Sequence, residues 1–266
     1  MNAQAVTVEA AYGRPIMSSF HAFWSLGAFV GTGVGSLCVG LGIGLATQLA
    51  LLGALVIVSA PFLARPLLRG EEAAGDHRIV LPWGNRWLLL LAGIMFAVLL
   101  CEGAAADWAA LYFRDDLGTP AEIAGLGYAT FALAMLLGRS MGDRWVAKYG
   151  GGRVVGVLTA VGGVALAVAL LLNSPVAALL GFAVYGVGLS CTVPVCFSTA
   201  AARSGSHAGH SIAAVATAGW TGFLLGPPLV GTLAHTTSLP LALGVLPLLA
   251  LVIAFSARSV RSTPAA

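Results

Sequence analysis

The chain is short of charge. Of its 266 residues 9% are Asp, Glu, Lys or Arg while 59% are hydrophobic, and its mean hydropathy is +0.94. Soluble domains carry about a quarter charged residues, and a globule of this size has no means of hiding so much apolar surface from water. A soluble enzyme or binding module is excluded on that ground. Acids are the scarcer sign, ten against thirteen Lys and Arg, and the net +3 is spread over short connections. A nucleic-acid partner is therefore not expected. The four cysteines, Cys38, Cys101, Cys191 and Cys196, sit inside apolar runs without metal or disulfide spacing, as buried small hydrophobes do. Nucleophile motifs, His-rich spacings and Gly-rich phosphate loops are lacking too. No catalytic residue, metal site or cofactor is assigned, and the chain is not read as an enzyme. The opening MNAQAVTVEA has neither the basic region nor the apolar core of a cleavable signal.

What fills the chain instead is eight apolar stretches. A helix crossing the hydrocarbon core needs about 20 mostly apolar residues, and spans are expected near 16–38, 42–64, 87–109, 121–141, 154–172, 176–197, 212–234 and 239–257. These runs are apolar on nearly all faces, unlike the alternating strands of a membrane barrel. The fold class is an all-α membrane protein, with the lipid bilayer as its first partner.

Orientation follows from the basic residues between spans. One side collects Arg14, then Arg65, Arg69, Arg78 and Arg86, then Arg139, Arg144, Lys148 and Arg153, then Arg203, Arg258 and Arg261. The other has Arg114 alone, beside Asp115 and Asp116. Both termini are expected in the cytoplasm, in a multi-pass protein of the plasma (cytoplasmic) membrane. Segment 65–86, with four Arg, three acids and two Pro, reads as a cytoplasmic central loop. It divides 1–64, with two spans, from 87–266, with six.

Several spans carry polar groups at depth. In the first, Ser18, His21, Ser25, Thr32 and Ser36 share one stripe at about 100° per residue. The stripe fits either interhelical hydrogen bonding or the wall of an aqueous cavity, with His21 and Trp24 available to a solute. Gly27, Gly31 and Gly35 form a second stripe, the kind that lets helix backbones approach in lipid. In the third span Glu102 lies well inside the apolar run and Asp107 nearer its outer edge. Carboxylates at depth are costly, so they face cavities or titrate, and Glu102 is a candidate proton carrier. It fits a plain helix contact as well. Gly103 is a point where this helix could loosen, and Trp108 and Tyr112 suit an interfacial aromatic belt. In the sixth span Tyr185, Thr192, Cys196 and Thr199 share a face, and Pro194 predicts a kink. In the seventh, Thr217, Trp220 and Thr221 cluster on one side, and Ala218, Gly222 and Gly226 offer a small-residue contact. Gly226-Pro227-Pro228 is expected to interrupt that helix.

Between the fourth and fifth spans stands GRSMGDRWVAKYGGGR, residues 138–153, read as a cytoplasmic loop. It resembles the signature of the major facilitator superfamily, in which Gly, an acid and flanking basic residues recur between the second and third helices of each half. Gly138, Arg139, Asp143, Arg144 and Arg153 match that pattern, and the resemblance implies a cytoplasmic gating role for them. The phrases GRPIMSSFHAFWSLGAFVG and CEGAAADWAALYFRDDLGTPAEIAGLGYATFALAMLLGR look like a bacterial subgroup distantly similar to sugar (fucose–proton) permeases. The resemblance implies a major-facilitator-like bundle in which the eight spans correspond to helices five to twelve of twelve, with 1–64 a remnant of the amino-terminal half. It also implies a secondary transporter of a small solute working by alternating access and coupled to protons. The alternative is a truncated, non-transporting remnant or assembly partner. On this mapping Asp143 belongs within about 10 Å of the backbone amides at Ser18 and Ser19, where a helix dipole acts.

Overall fold

A computed structural model describes residues 2–65 and 85–257. Most of segment 65–86, with Arg69, His77 and Arg78, lies outside the described residues, as do Arg258 and Arg261. The chain runs α1 (Asn2–Tyr12), α2 (Met17–Gly40), α3 (Leu45–Ala64), α4 (Arg86–Leu111), α5 (Ala121–Ala124), α6 (Leu126–Tyr149), α7 (Gly151–Leu172), α8 (Pro175–Leu189), α9 (Thr192–Ser204), α10 (Ala208–Thr236), α11 (Leu239–Leu243) and α12 (Val245–Ser256). A single wide turn, Tyr112–Asp116, prolongs α4. Counting α4 with that turn, α8 with α9, and α11 with α12 as single crossings, six segments among the described residues are long and apolar enough to span a membrane. The other two expected spans, α2 and α6, have the length at 24 residues each. They carry the polar groups on which the site depends.

In lipid the apolar side chains gain little by leaving the solvent, so close backbone packing holds such helices together. The α4–α10 seam is the tightest example. A Cβ added at Gly226 would lie 2.5 Å from the Leu100 carbonyl oxygen, and one at Gly103 would lie 2.5 Å from that of Phe223. The second contact has a local cause. Pro227 has no N–H, so the Phe223 carbonyl loses its partner one turn on, and Gly103 leaves room for it to abut α4. The prolines do not interrupt α10, which continues from Ala208 to Thr236 with both inside. Nor does Gly103 loosen α4, which passes through it.

Other packing pairs α7 with α8, α6 with α8, α12 with α7, and α2 with α6. Facing glycines Gly162 and Gly188 bring α7 and α8 together. The first-span glycines behave otherwise. A Cβ at Gly27 or Gly31 would meet nothing within 4 Å, so these two glycines pack against no helix among the described residues. The side chains at Thr32, Gly35 and Ser36 lie outside the described ones. Helix α3 buries none of its residues.

Two further expectations are corrected. Residues 138–149 are the last three turns of α6 and not a loop, and the connection to α7 is Gly150 alone, at φ +81°. Tyr112 is no interfacial belt residue either: it is fully buried, with its hydroxyl 3.4 Å from the Asn173 Oδ1. Trp108 is half-buried and donates from Nε1 to the Pro227 carbonyl at 3.0 Å, across the α4–α10 seam.

Candidate functional site

Helical spacing decides which side chains converge. On α6, Tyr128, Ala132, Met135 and Arg139 recur every three or four residues and share a face. His21, Trp24 and Ser25 do the same on α2, Leu99 and Glu102 on α4, and Ala216, Trp220 and Phe223 on α10. With Val193 and Phe197 of α9 they wall a cavity of about 320 Å³.

Arg139 is the centre of its polar wall, and only 4% exposed. Its Nη2 donates to Glu102 Oε1 at 3.1 Å, its Nη1 to Ser25 Oγ at 2.5 Å and its Nε to the Ser190 carbonyl at 3.4 Å. The last bond explains why an arginine fits there. Pro194 supplies no N–H to the carbonyl four residues earlier, so Ser190 is left with an open acceptor. The expected kink therefore appears as a break at Ser190–Cys191 between α8 and α9. The arginine fills the vacancy, and its charge is balanced by Glu102. His21 is 7% exposed and stacks on Phe197 with ring centres 5.8 Å apart. Its Nε2 has no hydrogen-bond partner among the described residues.

A second constellation closes one end of α2. Asp143 accepts from the Ser18 and Ser19 amides, each at 2.9 Å, and from the Ser19 hydroxyl. Glu9 accepts from the amides of Ile16 and Met17 at 3.0 and 2.8 Å. Two carboxylates thus occupy the positive end of the helix, where the backbone leaves donors unpaired. Gly142 makes the approach possible, since a Cβ there would lie 2.7 Å from Ser18 Oγ and 2.9 Å from Cys191 Sγ.

The structure brings Glu102, His21, Trp24 and Trp220 to the cavity. It does not place Asp107, Tyr185, Thr192 or Thr217 in its wall. Asp107 and Thr217 are exposed on other faces. Tyr185 is buried and donates to the Leu246 carbonyl at 3.0 Å. Thr192 is buried with its hydroxyl unpartnered among the described residues. Of the motif residues, Gly138 is buried against Ser190, Arg139 turns inward to the cavity, and Arg144 and Arg153 are exposed. Sequence reasoning missed Arg139 and Tyr128 as wall residues and Glu9 as a cap. Arg139 could have been found by carrying the helical face of the span through 139, which places it in line with Tyr128 and Met135.

A polytopic helical bundle enclosing a mostly apolar cavity with one charged wall has the build of a membrane carrier. Residues 91–266 match the family model described as Major Facilitator Superfamily. The chain belongs to that superfamily. It is 36% identical over 261 residues to an uncharacterized MFS-type transporter of Yersinia pestis, an alignment covering 98% of this chain and 67% of that protein. It is 35% identical over 263 residues to the uncharacterized transporter y4wD of Sinorhizobium fredii, covering 96% and 68%. Among solved structures it is similar to the Escherichia coli fucose:proton symporter FucP, with TM-score 0.62 at 16% identity over 67% of this chain and 43% of that one. The chain thus spans about two thirds of the length of these curated relatives and less than half of the symporter.

Proposed function

We propose that the chain moves a small polar solute across the cytoplasmic membrane by alternating access, as a proton symporter in which Glu102 carries the proton. The supporting observation is the Glu102–Arg139 pair, 3.1 Å apart and set in the wall of the cavity. A proton on Glu102 cancels half of that pair, so proton binding and the α4–α6 contact affect one another. The bias of Arg and Lys among the connections supports both termini in the cytoplasm.

The likeness to the fucose:proton symporter makes fucose the first solute to try, followed by a panel of hexoses and small organic acids. The assay is uptake into proteoliposomes with and without a pH gradient. Proton coupling through Glu102 predicts uptake driven by an inward proton gradient and uncoupled from it in Glu102→Gln. Flux indifferent to both gradient and substitution sinks the proposal.

A second reading, an assembly partner and not a carrier by itself, is supported by α3, which buries nothing. Correctly inserted chain that moves none of the panel alone, and gains flux with a companion polypeptide, would favour it.

A further inference from the structure

We infer that the solute is an anion, a small carboxylate that takes the place of Glu102 beside Arg139 once Glu102 has gained a proton. This rests on the proposed proton-coupled passage through the same cavity, and it names what passes.

Charge is the first argument. Among the described residues lining the cavity, Glu102 is the one carboxylate and Arg139 the one permanent cation. The groups around Glu102 are His21 and Ser25 from α2, Tyr128 and Arg139 from α6, Tyr185 from α8, and Cys101 on its own helix, where Asp107 is exposed on another face. The cavity residues of α9 and α10 are uncharged. With the pair intact the site sums to zero. Protonated Glu102 leaves Arg139, 4% exposed, with a hydroxyl and a carbonyl but no counter-charge. A lone guanidinium inside a membrane protein is costly. A neutral solute leaves that cost in place, whereas a carboxylate removes it. Proton and anion therefore each favour the other's binding, by the same factor.

Geometry is the second. Arg139 meets Glu102 through one contact, Nη2 to Oε1, and not through the two-pronged fork that makes such pairs hard to part. Space for a replacement adjoins it. The third is His21: its buried Nε2 lines the same cavity without a partner among the described residues, and so offers the incoming ligand a second hydrogen bond.

The probe is sodium formate, with formamide as its neutral match, on the full purified chain in nanodiscs. Thermal unfolding is read by tryptophan fluorescence at constant sodium, balanced with a bulky sulfonate buffer salt. Wild type should be stabilised saturably by formate, with affinity rising about tenfold for each pH unit lowered if one proton accompanies each anion. In Glu102→Gln the affinity should stay constant from pH 5.5 to 8, and formamide should do nothing in either protein. Formate binding to wild type without pH dependence, formamide acting as well as formate, or no formate effect at all overturns the inference. Should Glu102→Gln fail to fold, the wild-type pH series decides alone. Proton-linked formate binding without any solute flux would retire the transport reading and leave the anion site standing. Proton-driven flux of a neutral sugar with no formate effect would do the reverse.

Discussion

Replacing Asp143 with Ala should release the beginning of α2 from α6. The carboxylate receives the Ser18 amide, the Ser19 amide and the Ser19 hydroxyl. The Ser19 amide keeps an alternative acceptor, the Ile16 carbonyl at 3.1 Å, and Glu9 still holds Ile16 and Met17. Two bonds to a charged acceptor are then lost outright, each worth about 1.5–3 kcal/mol, and water entering the gap returns part of it. A net loss of about 2–3 kcal/mol is roughly 30- to 140-fold in the docked–undocked equilibrium, at about 1.4 kcal/mol per factor of ten. The reporter is already in place: Cys191 is fully buried beside Gly142 and Ser18. Maleimide labelling of Cys191, read by peptide mass spectrometry under conditions where closing outpaces reaction, should accelerate by that factor. Asp143→Asn, which keeps one acceptor oxygen, should fall between Asp143→Ala and wild type. A labelling rate within threefold of wild type in Asp143→Ala would refute the idea that this carboxylate holds the junction shut.

Two further outcomes are expected. Gly226→Ala should lower the melting temperature in detergent by an amount corresponding to about 1–3 kcal/mol, because the new methyl meets the Leu100 carbonyl. Gly209→Ala, where nothing lies within 4 Å, should be neutral or stabilising; equal effects at the two sites would contradict the account of the seam. Arg139→Met should cost about 3–5 kcal/mol by leaving Glu102 buried alone, and the Arg139→Met, Glu102→Met double variant should recover much of it. A thermal-melting double-mutant cycle measures this, and additive losses would show that the two side chains are not coupled.

The crossings were legible because lipid imposes a length and a composition that runs of Leu, Val and Ala display openly. The details that failed did so for local reasons. A hydropathy argument ends α6 too early, because Asp143, Arg144 and Lys148 look like loop residues to it. In fact Arg139 is neutralised inside the bundle and Asp143 is absorbed by the start of another helix. Tyr112 reads as an interface residue in the sequence, whereas the fold packs its ring into the core beside Phe113 and sets its hydroxyl 3.4 Å from Asn173 at the end of α7. Gly27 and Gly31 of α2 have the same spacing as Gly222 and Gly226 of α10, yet among the described residues only the second pair meets a partner. Spacing reveals which residues share a face, not what that face will touch. Glu102 was found by its oddity alone. Its mate was not, because the pairing depends on Pro194 opening a carbonyl on a third helix.

The glycine seam has a mechanical consequence. Where backbone lies directly against backbone, as at Gly103, Gly222 and Gly226 between α4 and α10, no side chain intervenes to flex, and sliding by a fraction of an ångström meets hard repulsion. Those two helices travel as one rigid rod. The junction of α2 with α6 is made of charge and hydroxyl contacts that water is able to replace, so the bundle has its stiff spine on one side of the cavity and its latch on the other.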